Sequence, residues 1–360
     1  MITKICTNIN LCWPPESDLT PFKLIVLDCL TFICLISTLL LLFPLWYSVY
    51  KDWDDPLIMS KSLSVSCGVA LASAKIVICR IHRHRLQLLL REMMNFLRKP
   101  NEQERNLMQH YVDKHATLHI LMSFCCHMAA ILVIIGPFIL SIPLPTDAKY
   151  FFSLDSKVAR LIVFVHQSLV GFQVSSGMAL DCLPASLLWF SVVRFKLLAN
   201  DFRNIRSKID FERCIHNHQH LLSYGHEVSL AFRFLIFTTV GTLTIAVVFA
   251  GIHVFSSEPM VSKAQYIAIA WSGGALLFLT AWPAEVLIES CNEIGDSILY
   301  SSWIGSSPKL LKFGVNIIQI SQKPIIIHVP GFLPILSLRY YSEFLSKVFS
   351  YFATVRMLVK

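Results

Sequence analysis

Charge is what this chain has least of. Only 15% of its 360 residues are Asp, Glu, Lys or Arg, against about 25% in an ordinary soluble domain, while 55% are hydrophobic and the mean hydropathy is +0.59. That balance excludes a soluble globular protein and describes a chain that crosses a membrane repeatedly. Cysteine is missing where oxidation would pair it. Of eleven cysteines, Cys29, Cys34, Cys67, Cys125, Cys126 and Cys182 fall in apolar runs, and Cys214 and Cys291 in segments assigned to the cytosol, so no disulfide framework is expected. The opening stretch, with Trp13, Pro14, Pro15, Glu16 and Asp18, lacks the basic, apolar and small-residue succession of a cleavable leader. The first apolar run is therefore expected to stay in the mature protein. The net charge is +8, but the basic residues gather in loops between apolar runs, which points to membrane lipid and not to nucleic acid.

Runs long enough to cross about 30 Å of hydrocarbon, about 20 helical residues each, occur near 24–49, 56–79, 116–142, 157–193, 234–255 and 264–288. A broken C-terminal segment supplies a seventh crossing. The fourth run exceeds one simple span, so its cytosolic end is expected to project as a helix. The loops Arg80–His115 and Arg194–Arg233 together hold fifteen Lys and Arg residues, whereas the alternating loops hold only Lys51, Lys149 and Lys263. Basic loops face the cytosol, which places the N-terminus inside and the C-terminus outside. Leu86, Leu89, Leu90 and Met93 in one basic loop, and Leu198, Phe202, Ile205 and Ile209 in the other, recur at helical spacing and predict a packed cytosolic collar. No internal repeat of the kind that builds many transporters is visible.

The last fifty residues carry the most specific pattern. An apolar run ends at Gln322, a break follows at Pro324, Pro330, Gly331 and Pro334, and a second helix reaches the C-terminus. At about 100° per residue, Arg339, Ser342, Glu343, Ser346, Lys347, Ser350 and Thr354 share an arc of roughly 140°. At membrane depth such a stripe must meet polar partners or water, since an ionisable group facing lipid costs on the order of 3 kcal/mol or more. The stripe is read as lining a pore, with a packed polar interface as the alternative.

Other chemistry-bearing residues read more plainly. His82 and His84, and His216, His218 and His220, lack the further ligands a metal site needs; they are assigned to a solvated or packed cytosolic helix. Glu285 and Glu289 are one turn apart with no nucleophile or metal motif beside them, which leaves a structural role at the cytosolic rim. No catalytic residue, metal or cofactor is expected, and so no enzymatic activity. His127, His166 and His253 sit in apolar runs, where a lone histidine is ordinarily a hydrogen-bonded core residue. Topology gathers Phe138, Phe164, His166, Phe172, Gln173, Tyr266 and Ile269 toward the outer half, where aromatics with a few polar groups form the wall a small apolar or aromatic ligand needs. Asp181 and Pro184 interrupt the fourth run, and an ionisable group there calls for a partner or an aqueous cavity.

The C-terminal succession of Trp303, Leu310, Leu311, Ser321, Gln322, Lys323, Pro324, Gly331, Phe332, Ser337, Leu338, Ser350, Tyr351, Phe352 and Arg356 resembles the insect odorant receptors. Similar matches run from Asp181 through Leu197, Leu198, Phe202 and Arg203, and around Cys214, His218, Leu221 and Leu222. This resemblance implies a seven-helix, inverted-topology subunit of an odorant-gated cation channel. It also implies a heterotetramer with the common olfactory co-receptor, in the plasma membrane of sensory neurons. It places the gate near Thr354 and Val355, with Glu343, Ser346 and Ser350 along the pore, and assigns a subunit-anchoring role to Trp303, Gln322, Lys323 and Pro324. The family usually has an acidic residue after the Ser337–Leu338 pair; here Arg339 follows, and Glu343 one turn on is placed to offset it.

The sequence thus predicts an all-α, polytopic membrane protein with seven transmembrane helices, the last broken in two. It divides into a cytosolic segment 1–23, a ligand-binding and collar region 24–308, and an anchor and pore region 309–360. The expected role is the odorant-specific tuning subunit of a nonselective cation channel. A gustatory-type channel without the co-receptor and a G-protein-coupled receptor are the alternatives.

Overall fold

The computed structural model describes residues 2–15, 20–254, 260–301 and 308–359. Among them the regular structure is helical, apart from one isolated antiparallel bridge between Val329 and Leu333. A short α1 (Ile2–Thr7) precedes the long α2 (Pro21–Lys51), α3 (Pro56–Ile81), α4 (Arg83–Arg98), α5 (Glu102–Leu140) and α6 (Lys157–Ala179). Then come α7 (Cys182–Arg203), α8 (Lys208–Val254), α9 (Met260–Leu299), α10 (Pro308–Ser321) and α11 (Leu338–Val359).

Helix starts follow from local chemistry. Pro21 and Pro56 occupy first-turn positions, where a missing N–H costs nothing. Asp55 accepts the N–H groups of Leu57 and Ile58, and Asn101 with Glu104 forms a reciprocal capping box. Among the described residues, six helical stretches are long and apolar enough to cross a membrane, with α6 and α7 together counting as one. The 22 residues of α11, about 33 Å at 1.5 Å per residue, provide the length for a seventh.

The fourth run, which Asp181 and Pro184 interrupt in the sequence, is broken at Leu180 and Asp181. Pro184 has no N–H to donate to the Leu180 carbonyl, which instead accepts from Leu183. The resumed helix, α7, is enclosed on nearly every side, with Leu187, Val192, Phe195 and Phe202 all fully buried. It packs chiefly on α9 and α8. By contrast α2 is mostly exposed along its length, with Phe22, Phe32, Phe43 and Trp46 bare, as suits a helix surrounded by lipid. Helices in lipid associate through close packing more than through hydrophobic burial. At Gly177 an added Cβ would lie 3.2 Å from the Ala72 Cα, so this glycine is what lets α6 and α3 approach.

The collar is built as the spacing predicts, with one exception. Leu86, Leu89 and Leu90 are buried, as are Leu198, Phe202 and Ile205, and Met93 packs on the same core. Ile209, expected on that face, is 75% exposed. The turn after Arg203 resets the helical phase, and α8 begins at Lys208, so Ile209 falls on its first turn facing outward. His216 and His220 are exposed on one side of α8, while His218 is buried. Its ring packs edge-on against Phe202, and burial pushes its pKa from 6.5 down to about 4.

Candidate functional site

In the half of the bundle assigned to the outer leaflet, α2, α3, α5, α6, α8 and α9 enclose a cavity of about 110 Å³. Its wall is mostly aliphatic, including Leu41, Val65, Val69, Val170, Val174 and Leu243, with the thiols of Cys67 and Cys126. Besides residues of the second, third, fourth and sixth spans, the wall takes in Leu41 of the first and Thr242, Leu243 and Ala246 of the fifth.

The segment between α5 and α6 covers this space. Gln167 on α6 accepts the Thr146 N–H at 3.1 Å and donates to the Tyr150 hydroxyl at 3.1 Å. Ser48 donates to the Asp147 carbonyl at 2.9 Å, and Lys149 pairs with Asp52 at the end of α2. Leu144 and Ala148 are buried beneath this covering. A proline, Pro44, lies inside α2 at this level, and its carbonyl accepts the Lys149 N–H at 3.3 Å. The roof is thereby tied to α2 and α6 at several points and carries no regular structure of its own.

One turn below the cavity the membrane core holds an ion pair. Lys75 Nζ lies 2.8 Å from Asp181 Oδ2 and donates at 2.9 Å to the Gly177 carbonyl. The Thr239 hydroxyl approaches the same carboxylate at 3.4 Å. The partner that the interruption at Asp181 calls for is thus a lysine on α3.

None of the seven outer-half residues singled out in the sequence lines the cavity. Phe138, 74% exposed, makes an edge-to-face pair with Phe164 on the lipid side. His166 is hydrogen-bonded to the Ser37 carbonyl at 3.1 Å. Phe172 is partly exposed, and Gln173 is buried where its carbonyl accepts from Asn10 at 2.5 Å. Tyr266 stacks on His253 at 4.2 Å, and that imidazole meets Ser60 at 2.8 Å. The Ile269 side chain lies outside the described residues. Sequence reasoning missed Gln167, Thr146 and the small residues Gly68, Ala129, Ala130 and Gly171. The available signal was the stripe Val163, Gln167, Val170, Val174 and Met178 at helical spacing, hidden because α6 is apolar on its other faces too.

The C-terminal helix stands as its pattern requires. Phe344 and Val348 are buried against the bundle, with Tyr340, Tyr341 and Leu345 beside them. Arg339, Ser342, Glu343, Ser346, Lys347, Ser350 and Thr354 are all exposed. Arg339 Nε lies 3.2 Å from Glu343 Oε1, the offset foreseen for this departure from the family pattern. The Thr354 hydroxyl donates to the Ser350 carbonyl at 3.0 Å, while the Val355 side chain lies outside the described residues. Glu285 on α9 accepts the Leu338 N–H at 3.0 Å and so places an acidic group at the N-terminus of α11. Before it, Gly331 takes the positive φ of +79° that turns the break back on itself, with the Leu336 N–H reaching the Ile327 carbonyl. Of the anchor residues, Gln322 and Lys323 are exposed and Pro324 half-buried; Trp303 lies outside the described residues.

Three comparisons with known proteins bear on this arrangement. The profile of the 7tm odorant receptor family matches residues 55–348. Odorant receptor 92a of Drosophila melanogaster is 27% identical over 190 residues, which is 50% of this chain and 46% of that relative, less than half its length. The olfactory receptor OR5 of Machilis hrabei superposes in complex with eugenol at a TM-score of 0.85, with 13% identity over 100% of this chain and 98% of that one. The same receptor in a second structure gives 0.86 over 98% and 96%. At such identity the likeness speaks for the fold.

Proposed function

Since this chain belongs to the 7tm odorant receptor family, we propose that it is the odorant-specific tuning subunit of a heterotetrameric, odorant-gated, nonselective cation channel. Its partner is an olfactory co-receptor, and its place is the plasma membrane of sensory neurons. The observation that carries this reading is α11. Its polar face is bare on the single chain although its other face packs on membrane-spanning helices, and such a face at membrane depth calls for water or neighbouring subunits.

In this reading residues 24–308 hold the ligand in the outer cavity, and 309–360 anchor the subunits through Gln322, Lys323 and Pro324, together with Trp303 just ahead of that segment. Glu343, Ser346, Ser350, Thr354 and Val355 line the conduction path. A small neutral ligand favours the conducting arrangement only as far as it binds that arrangement more tightly than the closed one. The eugenol bound by the matched Machilis hrabei receptor supports a small volatile of this kind. Phe138, Phe164, His166, Phe172, Gln173, Tyr266 and Ile269 then act from around the cavity. They shape its wall through the helices that carry them.

The test is current recording with a panel of volatiles. Cells making both this chain and the co-receptor are expected to give ligand-dependent currents, and cells making this chain alone to give none of comparable size. Large ligand-dependent currents from this chain alone would contradict the division of labour and favour a gustatory-type channel.

A further inference from the structure

At the level of the cavity, α9 is a partition one helix thick. Ser272 lines the cavity. Two positions on, about 200° round the helix, Gly274 faces α11, where an added Cβ would stand 4.0 Å from Leu345 Cδ2. Between them Gly273 abuts α8: a Cβ there would come within 2.8 Å of Val247 Cγ2 and 3.4 Å of Leu243 Cδ2, and Leu243 lines the cavity as well. A long side chain at either glycine would absorb a displacement by changing rotamer. Bare backbone in close contact passes it on.

From this level inward α9 and α11 run antiparallel and in step. Gly274 stands opposite Leu345, Phe278 packs on Tyr341 with ring centroids 5.5 Å apart, and Glu285 accepts the Leu338 N–H at 3.0 Å. Positions 274, 278 and 285 share one face of α9, and 345, 341 and 338 one face of α11. Gly274 is the outermost of these three ties, and Ser272 lies on the opposite side of the same turn. Small residues that let helices approach are common in membranes and hold structure together; here the same turn also meets the cavity. Resting on the reading above that the cavity binds the ligand and α11 borders the pore, we propose that Gly274 is a positioning residue for channel opening. Movement of the cavity wall at Ser272 and Leu243 reaches Leu345 through α9 backbone alone, and the missing Cβ at 274 leaves the room into which Leu345 settles when α11 draws back from the pore.

The experiment uses cells making this chain with the co-receptor, and a panel of short ketones, esters, alcohols and phenols that includes eugenol. Gly274→Val fills the room beside Leu345. It is expected to lower maximal current per surface-labelled complex about 5-fold or more and to raise the half-maximal concentrations of all active ligands together, with their order unchanged because the cavity's side chains are untouched. Leu345→Ala, added to Gly274→Val, restores the room from the α11 side and is expected to bring maximal current back to within about twofold of the original. Should Gly274→Val not reach the surface, Leu345→Phe crowds the same space from α11 and carries the same expectation. Undiminished current from the crowded variant, or a double variant no better than Gly274→Val, overturns the proposal. So does a reordering of ligands, which would place Gly274 in the cavity wall instead. In each of these cases the original complex still responds, so the reading of the cavity and pore stands; an original complex silent toward the whole panel would contradict both.

Discussion

The ammonium of Lys75 lies 2.8 Å from the carboxylate of Asp181, with both side chains sealed from solvent. Leu71, Met178 and Leu243 line the cavity, and Lys75, Asp181 and Thr239 follow or precede them by one turn on α3, at the α6–α7 junction and on α8. The pair therefore forms a polar tie beneath the cavity floor that joins three of the elements enclosing it.

Breaking a buried pair leaves one charge without a counterpart, at a cost of about 3–5 kcal/mol. Lys75→Met is accordingly expected to reduce thermal stability and surface abundance sharply, and Asp181→Leu to do the same. The double variant, apolar at both positions, is expected to recover much of the loss. Measurement of detergent-solubilised melting curves checks this, and a double variant no better than the worse single one would contradict it.

A second expectation concerns Glu285, whose carboxylate accepts the Leu338 N–H at 3.0 Å. Glu285→Ala removes both an acceptor and a negative charge from the start of α11, worth about 1 kcal/mol. Amide hydrogen exchange in the first turn, at residues 338–341, is expected to speed up, with Glu285→Gln intermediate. Exchange unchanged by Glu285→Ala would mean that Ser337, whose hydroxyl accepts from the Tyr340 N–H, suffices alone.

Much of this arrangement is legible in the sequence, and the remainder is obscured for physical reasons. The polar stripe of α11 stands out because Arg339, Glu343 and Lys347 interrupt an apolar background at helical spacing. Leu86, Leu89 and Leu90 are legible because the collar meets water, where periodicity separates inside from outside. Inside the membrane that contrast disappears. The lipid face of α6, with Phe164 and Phe172, is as apolar as its cavity face, with Val170 and Val174, so the aromatic residues draw attention away from the residues that line the cavity. Thr146 and Gln167 meet only because the segment after α5 folds back over the bundle. Lys75 and Asp181 are separated by 106 positions, and nothing local to either names the other.

The collar carries a pH dependence. The buried imidazole of His218 has its pKa lowered to about 4 from 6.5 by desolvation, so on acidification the unfolded chain takes up a proton before the folded one does. Its contribution is intact above about pH 6.5 and is lost progressively as pH falls toward 4, by about 3 kcal/mol in all. Melting temperatures measured between these values are expected to fall with acidity, and His218→Phe to flatten that slope. A slope unaffected by the substitution would assign the dependence to other groups.

The most direct measurement is external thiol modification of the complex. Cysteine placed singly at Ser346, Ser350 and Thr354, all exposed on α11, and treated with a charged, membrane-impermeant reagent during ligand-evoked current, is expected to change conductance at one or more positions. Unaltered conductance at all three, in complexes that still respond to ligand, would contradict the claim that the polar face of α11 borders the ion path.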